Sequence, residues 1–532
     1  MGLFKKIFGA RQVEEAEEII KEKPTVERAD WDKIVCPYCF QVFSHKDVHF
    51  RSMTVKNSVM ADEAIEERWG DDEIKMRQEL DKNRIARKFQ KQREDPELSE
   101  FWARFHITPA QRDDAEWNYP VIRPSDKEML YHGGAEGEGL IYSDGFLTRV
   151  KDCYSEDSTV RLCPKCHNKL PSTYGKYKAL FISVVGITGS GKTVYLNQLL
   201  ESLQKHLSCA GLVTAQTFNL RPNERIAKNS FLPMSTQEGV LYPPMMINII
   251  PNGGQRGRDE TTLVFYDIAG ENCIDTDRLY RFGPYLQKSQ AIIMLMDPKQ
   301  FKQFDEAAGD NPVSNVVEAL INFFDTSGTT QRPLMAATLS KSDKLREMVD
   351  DFTMDDFIQQ DSVIFKKIQW NSAKKGFYKN SYQQMMGAMI SLMKELDPEE
   401  MIQGQLKKFF HETAFFAVSA LGVEVQPMYN IGTDSDPLYI DLTKETEQAI
   451  QLLKKEHRHG PVQEPPLYKG RKQVLLGKHP DSGEEVIQTF EEIRLSDKHI
   501  EYWLNENPDP YRIEEPLLWV LYRLNVINGV DA

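Results

Sequence analysis

The residues that point most directly to chemistry are Gly186-Ile187-Thr188-Gly189-Ser190-Gly191-Lys192-Thr193, followed by Val194. This is the full P-loop pattern. It follows an apolar run, Ala179 to Val185, and precedes a helix-forming stretch that runs to about His206. Glycines at 186, 189 and 191 let the backbone wrap a phosphate chain without Cβ clashes. Successive N–H groups and the start of a helix supply partial positive charge. Lys192 is placed to reach the β- and γ-phosphates, and Thr193 to offer its hydroxyl to Mg²⁺. The implied ligand is a nucleoside triphosphate with Mg²⁺.

Such a site needs a second Mg²⁺ anchor on a neighbouring strand. Asp267 ends the apolar run Thr262–Tyr266, and the text there is Asp267-Ile268-Ala269-Gly270-Glu271. Gly270 is expected to bring its N–H to the γ-phosphate. Two further strand ends carry polar residues: Thr338-Leu339-Ser340-Lys341-Ser342-Asp343 and Ser419-Ala420-Leu421.

In this order the four motifs resemble those of TRAFAC-type P-loop GTPases. Asp267 to Gly270 is similar to the family's Asp-x-x-Gly switch, Lys341 to Asp343 to its Asn-Lys-x-Asp base reader, and Ser419 to Leu421 to its Ser-Ala-Lys base loop. The resemblance runs from Gly186 to Leu421, under half of the 532 residues. It implies that Asp343 accepts from guanine N1–H and the 2-amino group, that Lys341 lies along the base and braces the P-loop, and that the Ala420 N–H meets the guanine carbonyl. Adenine lacks that donor pair, so GTP/GDP is the expected ligand. Ser340 and Leu421 depart from the pattern, and ATP stays open as the alternative.

Switch I should place a Thr on Mg²⁺ and the γ-phosphate. Thr236 is the candidate, with Thr214 and Thr217 as rivals in a strand-like region. Glu271 stands where Ras-like enzymes carry the water-orienting Gln. A carboxylate there is repelled by the γ-phosphate unless cations offset it. The expectation is a slow, partner-stimulated GTPase acting as a molecular switch, with Lys192, Thr236, Gly270 and Glu271 as its catalytic set. The alternative is a nucleotide-dependent adaptor with little turnover.

Cys36-Pro37-Tyr38-Cys39 and Cys163-Pro164-Lys165-Cys166 account for four of seven cysteines. Four thiolates suit a closed, structural Zn²⁺ site. Zinc-ribbon pairs are usually separated by about 15–20 residues, so this one must hold a large insertion. Loop closure cost grows only logarithmically with length. His45, His49, His167 and Cys153 are nearby substitutes. A Cys-x-x-Cys module joined to a GTPase domain, and the ending Ile513-Glu514-Glu515-Pro516-Leu517-Leu518-Trp519, resemble the bacterial double-GTPase type. That resemblance implies protein partners in a multi-component system, such as a defence system.

These sites require an α/β fold: a mostly parallel sheet with helices on both faces, of P-loop NTPase type, preceded by a zinc-ribbon module with a helical insertion. The expected division is a flexible leader at 1–30, the split ribbon at 31–172, the GTPase domain at 177–430, an insertion at 431–511 and a closing helix at 512–532. Trp69, Met76, Leu80, Ile85 and Phe89 mark charged helices inside the ribbon insertion. A hairpin is expected from Lys472 to Gln488.

The net charge of −14 argues against nucleic-acid binding across the surface. The basic residues around Arg84–Arg93 are interleaved with acids and read as a solvated helix. There is no apolar run of about 18 residues, so no transmembrane helix is expected. Met1–Gly9 is basic and short, without the features of a signal peptide. Lys6 breaks the myristoylation pattern. Paired Cys-x-x-Cys motifs and an odd cysteine count fit a reducing, cytoplasmic location.

Overall fold

The computed structural model describes residues 29–52, 61–91, 95–107, 120–131, 139–153, 155–187, 189–201, 203–219, 226–233, 241–251, 260–269, 272, 276–301, 312–328, 332–351, 362–371, 373–399, 401–430, 439–441, 467–478, 485–494 and 500–531. Thr188, Thr236, Gly270 and Glu271 lie outside these residues, as do the leader up to residue 28 and most of the 431–511 segment.

The main body starts with strand β1 (Lys178–Gly186), followed by helices α1 (Lys192–Glu201) and α2 (Leu203–Cys209). Strands β2 (Leu212–Phe218), β3 (Met245–Pro251) and β4 (Thr261–Ala269) come next, then helix α3 (Thr276–Lys288). Strand β5 (Ala291–Met296), helix α4 (Pro312–Thr326) and strand β6 (Leu334–Leu339) continue the alternation. Helices α5 (Lys379–Leu396) and α6 (Met401–Phe409) precede strand β7 (Glu412–Ala417), and helix α7 (Glu515–Arg523) closes the body.

These seven strands form one sheet in the order β2-β3-β4-β1-β5-β6-β7. Five are parallel, from β4 to β7, while β2 and β3 add an antiparallel edge. The parallel strands are buried along nearly their whole length, which explains their continuous apolar text. The β3–β4 pair is antiparallel, as the short connection between them requires. Helix α7 packs against β5 and β6, so the end of the chain completes this core.

No local sequence pattern marks an element between Asp343 and Phe415. Helix α5 lies there because Met385, Met386, Ala388, Met389, Ile390, Leu392 and Met393 bury nearly all round it. A helix apolar on every side loses the 3.6-residue contrast that marks a surface helix.

The N-terminal part is small and β-rich. A hairpin, Ile34–Val35 with Val42–Phe43, carries the first cysteine pair. The second pair sits between strands Val160–Leu162 and Lys169–Leu170 of a four-stranded sheet that also contains His49–Arg51 and Val121–Ile122. Between the pairs run helices Asp62–Trp69, Glu73–Lys91 and Pro96–Ala103. Trp69, Met76 and Leu80 are only half-buried.

A second four-stranded sheet joins Ser230–Phe231, Ile500–Leu504, Val425–Asn430 and Tyr439–Asp441, in that order. It therefore straddles the boundary expected at 430/431. It also takes in residues just upstream of the switch I candidate. The hairpin Leu467–Lys478 with Glu485–Arg494 extends beyond it.

Candidate functional site

Strand β1 ends at Gly186 with β4 on one side and β5 on the other. A Cβ on Gly186 would stand 2.7 Å from the Leu295 carbonyl oxygen, so only glycine fits. Gly189 (φ +80°) and Gly191 (φ +83°) take left-handed conformations that side chains disfavour. The loop is thus shaped by its glycines into a cup at the start of α1. The Ser190 hydroxyl is buried within it, with no hydrogen-bond partner among the described residues. Lys192 Nζ donates to the Gly186 oxygen at 2.6 Å and lies over the loop's own carbonyls. Thr193 is buried beside it. Asp267 is paired in register with Val184 of β1, which puts its carboxylate on the strand next to the P-loop.

The strand order brings distant motifs to the same edge. Lys341, with φ +49°, sends Nζ to the Gly189 carbonyl oxygen and to Asp297 Oδ2 at 2.9 Å. Asp343 Oδ1 accepts from Ser419 Oγ at 2.6 Å. Ser419 Oγ in turn accepts from Gly422 N–H at 2.9 Å. A cavity of about 220 Å³ opens here, walled by Ser190, Lys341, Asp343 and Ala420 together with Leu232 and Tyr502. Gly191, Val194, Ser419 and Leu421 also line it. Of the residues expected to hold the nucleotide, the loop, the base reader and the base loop therefore meet around one space. Thr236, Gly270 and Glu271 lie outside the described residues, so nothing places them.

Two contributors carry no recognisable motif in the sequence. Asp297 ends β5 and caps the turn that follows by accepting from Lys299 N–H at 3.0 Å. Its position at the tip of an apolar strand was the available signal. The segment before α7 is the other. Tyr511 exchanges both backbone hydrogen bonds with Ser419, at 3.0 and 3.1 Å. Arg512 forms a buried two-pronged ion pair with Glu515 and caps the Lys366 carbonyl at 3.0 Å. Tyr195 of α1 donates to the Ile513 carbonyl at 3.0 Å, tying the P-loop helix to this end of the chain.

The four cysteines of the two knuckles converge, with Sγ atoms all within 4.8 Å of one another. Cys36 to Cys166 and Cys39 to Cys163 are each 3.7 Å. Tetrahedral thiolates about 2.3 Å from Zn²⁺ stand about 3.8 Å apart, so the donor set fits that ion. Backbone N–H groups of Tyr38 and Lys165 point at Cys36 and Cys163 sulfurs at 3.3 and 3.4 Å, as knuckle turns do. Burial pushes the Cys36 and Cys166 thiols up, while hydrogen bonds from the neighbouring thiols, Cys163 foremost, hold Cys39 down. His45 and His49 face other partners: His45 Nδ1 accepts from Leu147 N–H, and His49 meets His167 at 3.0 Å. His167 also touches Asp95 at 2.8 Å.

The knuckle is fastened to the large sheet. Tyr266, next to Asp267, donates its hydroxyl to the Pro37 carbonyl at 2.8 Å. Tyr285 of α3 donates to the Tyr38 carbonyl at 3.0 Å. Phe40 fills the space between, with its ring 4.8 Å from that of Tyr285.

Several known proteins and one family model resemble parts of this chain. The chain is 26% identical over 211 residues to the putative ESX-1 scaffolding and assembly protein SaeC of Mycolicibacterium smegmatis. That match covers 36% of this chain and 53% of the relative, so the chain spans about half the length of the curated relative it matches. Among solved structures, the signal recognition particle receptor SRb-GTP/SRX complex from Chaetomium thermophilum is 12% identical. It covers 46% of this chain and 92% of that one, with a TM-score of 0.21. A crystal structure of an SsGBP variant is 15% identical and covers 46% and 50%, with a TM-score of 0.19. Scores this low carry no weight on their own. The sequence model of the Double-GTPase 2 family matches residues 180–403, the stretch that holds the P-loop, Asp267 and the Lys341–Asp343 motif, and supports a GTP-binding protein of the P-loop GTPase kind.

Proposed function

We propose that this chain is a guanine-nucleotide switch with slow intrinsic hydrolysis, set to its working rate by a protein partner. The observation that carries the reading is the junction of Lys341, Asp343 and Ser419 with the Gly189 carbonyl around one cavity. Asp343, already oriented by Ser419, presents its carboxylate where the two donors of a guanine edge would arrive. An adenine there leaves it unmatched, at a cost of about 1–3 kcal/mol or more.

In this reading the main-chain N–H groups of Gly189 to Thr193 hold the phosphates, and Lys192 swings from its own loop carbonyls to the β- and γ-oxygens. Thr193, Asp267 and Thr236 would hold Mg²⁺, which when bound would neutralise charge on the β- and γ-phosphates. The Gly270 N–H would contact the γ-phosphate. Glu271, standing where the water-orienting Gln is expected, would be a poor substitute, because a carboxylate there would be repelled by the γ-phosphate. Cys36, Cys39, Cys163 and Cys166 would hold a structural Zn²⁺. Residues 31–172 form the zinc module, 177–430 with 512–532 the GTPase domain, and 431–511 an insertion whose strands join Ser230–Phe231 and Val425–Asn430 of that domain in one sheet. The chain works within a multi-component assembly, in line with the scaffolding and assembly role in the name of its ESX-1 relative, and the paired cysteine knuckles suit the reducing cytoplasm.

The test is equilibrium binding of GTP and ATP followed by single-turnover hydrolysis, for wild type and Lys192→Ala. The expected result is Mg²⁺-dependent GTP binding lost in Lys192→Ala, with turnover far below one per second. Turnover at tens per second by the isolated chain would contradict the assignment of Glu271. A second reading, an adaptor that binds nucleotide without turning it over, is favoured by Glu271 alone. It predicts GTP recovered intact after many hours.

A further inference from the structure

The cavity around Lys341 and Asp343 has two unlike halves. Ser190 and Gly191 of the P-loop bound one end, and Asp343 with Ala420 bounds the other. A further wall is apolar and consists of Leu232, Val423, Val425 and Tyr502. These four lie on or beside strands of the second four-stranded sheet, outside the P-loop and outside the Lys341–Asp343 and Ser419–Leu421 motifs.

That wall is built by strand pairing. Leu232 N–H donates to the Tyr502 carbonyl at 2.8 Å, and Asn229 N–H to the Leu504 carbonyl at 2.7 Å. Phe231 and Trp503 are paired in register, with their rings edge to face at 4.8 Å. On the other side of the same strand, Tyr502 pairs with Pro427 and Leu504 with Val425. Side chains two apart on a strand share a face. Leu504 is fully buried, yet Tyr502 keeps 37% of its surface exposed. It is one of few large apolar side chains left open among the described residues, and it stands at this cavity.

A nucleotide base has a use for such a ring. Its edge is polar and its two faces are apolar. Asp343 can read the edge, and the aliphatic stem of Lys341 can cover one face, which leaves the other face to the apolar wall. Stacking of a base on an aromatic side chain contributes about 1–3 kcal/mol and tolerates any base. We propose that Tyr502 is a nucleotide-binding residue that stacks on the base, with Leu232 packed at its side, so that the second sheet closes the base slot. This role rests on the nucleotide site proposed above, and not on the choice of guanine.

The wall joins two distant parts of the chain. Leu232 lies shortly before Thr236 in sequence, and Tyr502 lies near the end of the 431–511 insertion. A base held by both residues ties nucleotide occupancy to the start of the switch I segment and to the insertion together.

The test is equilibrium titration of GTP, ATP and ribose 5-triphosphate, each with Mg²⁺, into the full chain as wild type, Tyr502→Ala and Tyr502→Phe. The dissociation rate of GTP is followed in parallel. Tyr502→Ala should weaken GTP and ATP by the same factor, about tenfold or more, mainly through faster dissociation. Ribose 5-triphosphate, which has no base, should bind wild type and Tyr502→Ala alike. Tyr502→Phe keeps the ring and should restore wild-type affinity. The melting temperature should stay put in both variants, because the residue is exposed. GTP affinity unchanged in Tyr502→Ala overturns the proposal. So does an equal weakening of ribose 5-triphosphate, which would mark a distorted phosphate site. A Phe variant as weak as the Ala variant would make the hydroxyl the contact and overturns stacking. Failure of the guanine reading shows elsewhere, as wild type binding ATP as tightly as GTP. The loss in Tyr502→Ala would persist in that case, so the two claims fail separately.

Discussion

Changing Tyr266 to Phe tests whether the cysteine knuckle and the P-loop sheet are one mechanical unit. The hydroxyl donates to the Pro37 carbonyl at 2.8 Å, inside the first Cys-x-x-Cys turn. Tyr266 is 2% exposed, and burial drives its phenol well above the usual range, so it stays a protonated donor at every accessible pH. Removing it strands a buried carbonyl, which costs about 1–2 kcal/mol. For a domain of this size that lowers the melting temperature by about 2–8 °C. Tyr285→Phe removes the twin bond to the Tyr38 carbonyl and should cost a similar amount. The two share the Phe40 contact, so the double change should deviate from simple addition.

In the proposed zinc-loaded state, stripping the metal should do more than either change. It releases the turn that presents both carbonyls, and a structural Zn²⁺ contributes about 10–16 kcal/mol of apparent binding energy in small zinc modules. The assay is thermal melting of the metal-loaded chain, with chelator-driven metal release followed in parallel. Tyr266→Phe should melt earlier and release metal faster. A melting curve and a release rate both unchanged would refute the coupling, because the hydrogen bond would then carry no load between the two parts.

Three other perturbations follow from the geometry. Gly186→Ala puts a Cβ against the Leu295 carbonyl, so it should abolish nucleotide binding and lower stability by about 1–3 kcal/mol, measurable by titration and melting. Lys341→Met removes the contacts to Gly189 and Asp297; GTP affinity should fall by about tenfold or more in equilibrium titration, with little change in melting. Burial, aided by Lys205, holds His206 down at about 4, from an ordinary value of 6.5. The unfolded chain then binds the extra proton between those values, so stability should fall as pH drops from 6.5 towards 4 and level off below. Denaturant titrations across that range should show the slope in wild type and a flatter profile in His206→Gln, with Glu514 the acidic neighbour that faces the ring.

The parts of the site that were legible in the sequence are those written locally. The glycine spacing of the P-loop, the apolar runs of β1, β4, β5, β6 and β7, and a polar motif at each strand end sit within short windows. What stayed hidden depends on neighbours that are distant in sequence. Asp297 matters because β5 and β6 end side by side, bringing it to Lys341. Tyr266 and Tyr285 read as ordinary apolar filler until the Cys36 turn docks above them. The pairing of Ser230–Phe231 with Ile500–Leu504 crosses most of the domain, and no local pattern announces a two-residue strand. The far-separated cysteine pairs were legible by type and spacing within each pair, while their meeting depended on the helices and strands folded between them.

The central claim is that Asp343 reads the guanine edge. Its most direct test is the affinity of wild type and Asp343→Asn for GTP and for xanthosine triphosphate. Replacing the carboxylate with an amide swaps an acceptor for a donor, so GTP binding should weaken by at least about tenfold and xanthosine triphosphate should become the preferred ligand. GTP binding of equal strength in both proteins would contradict the account.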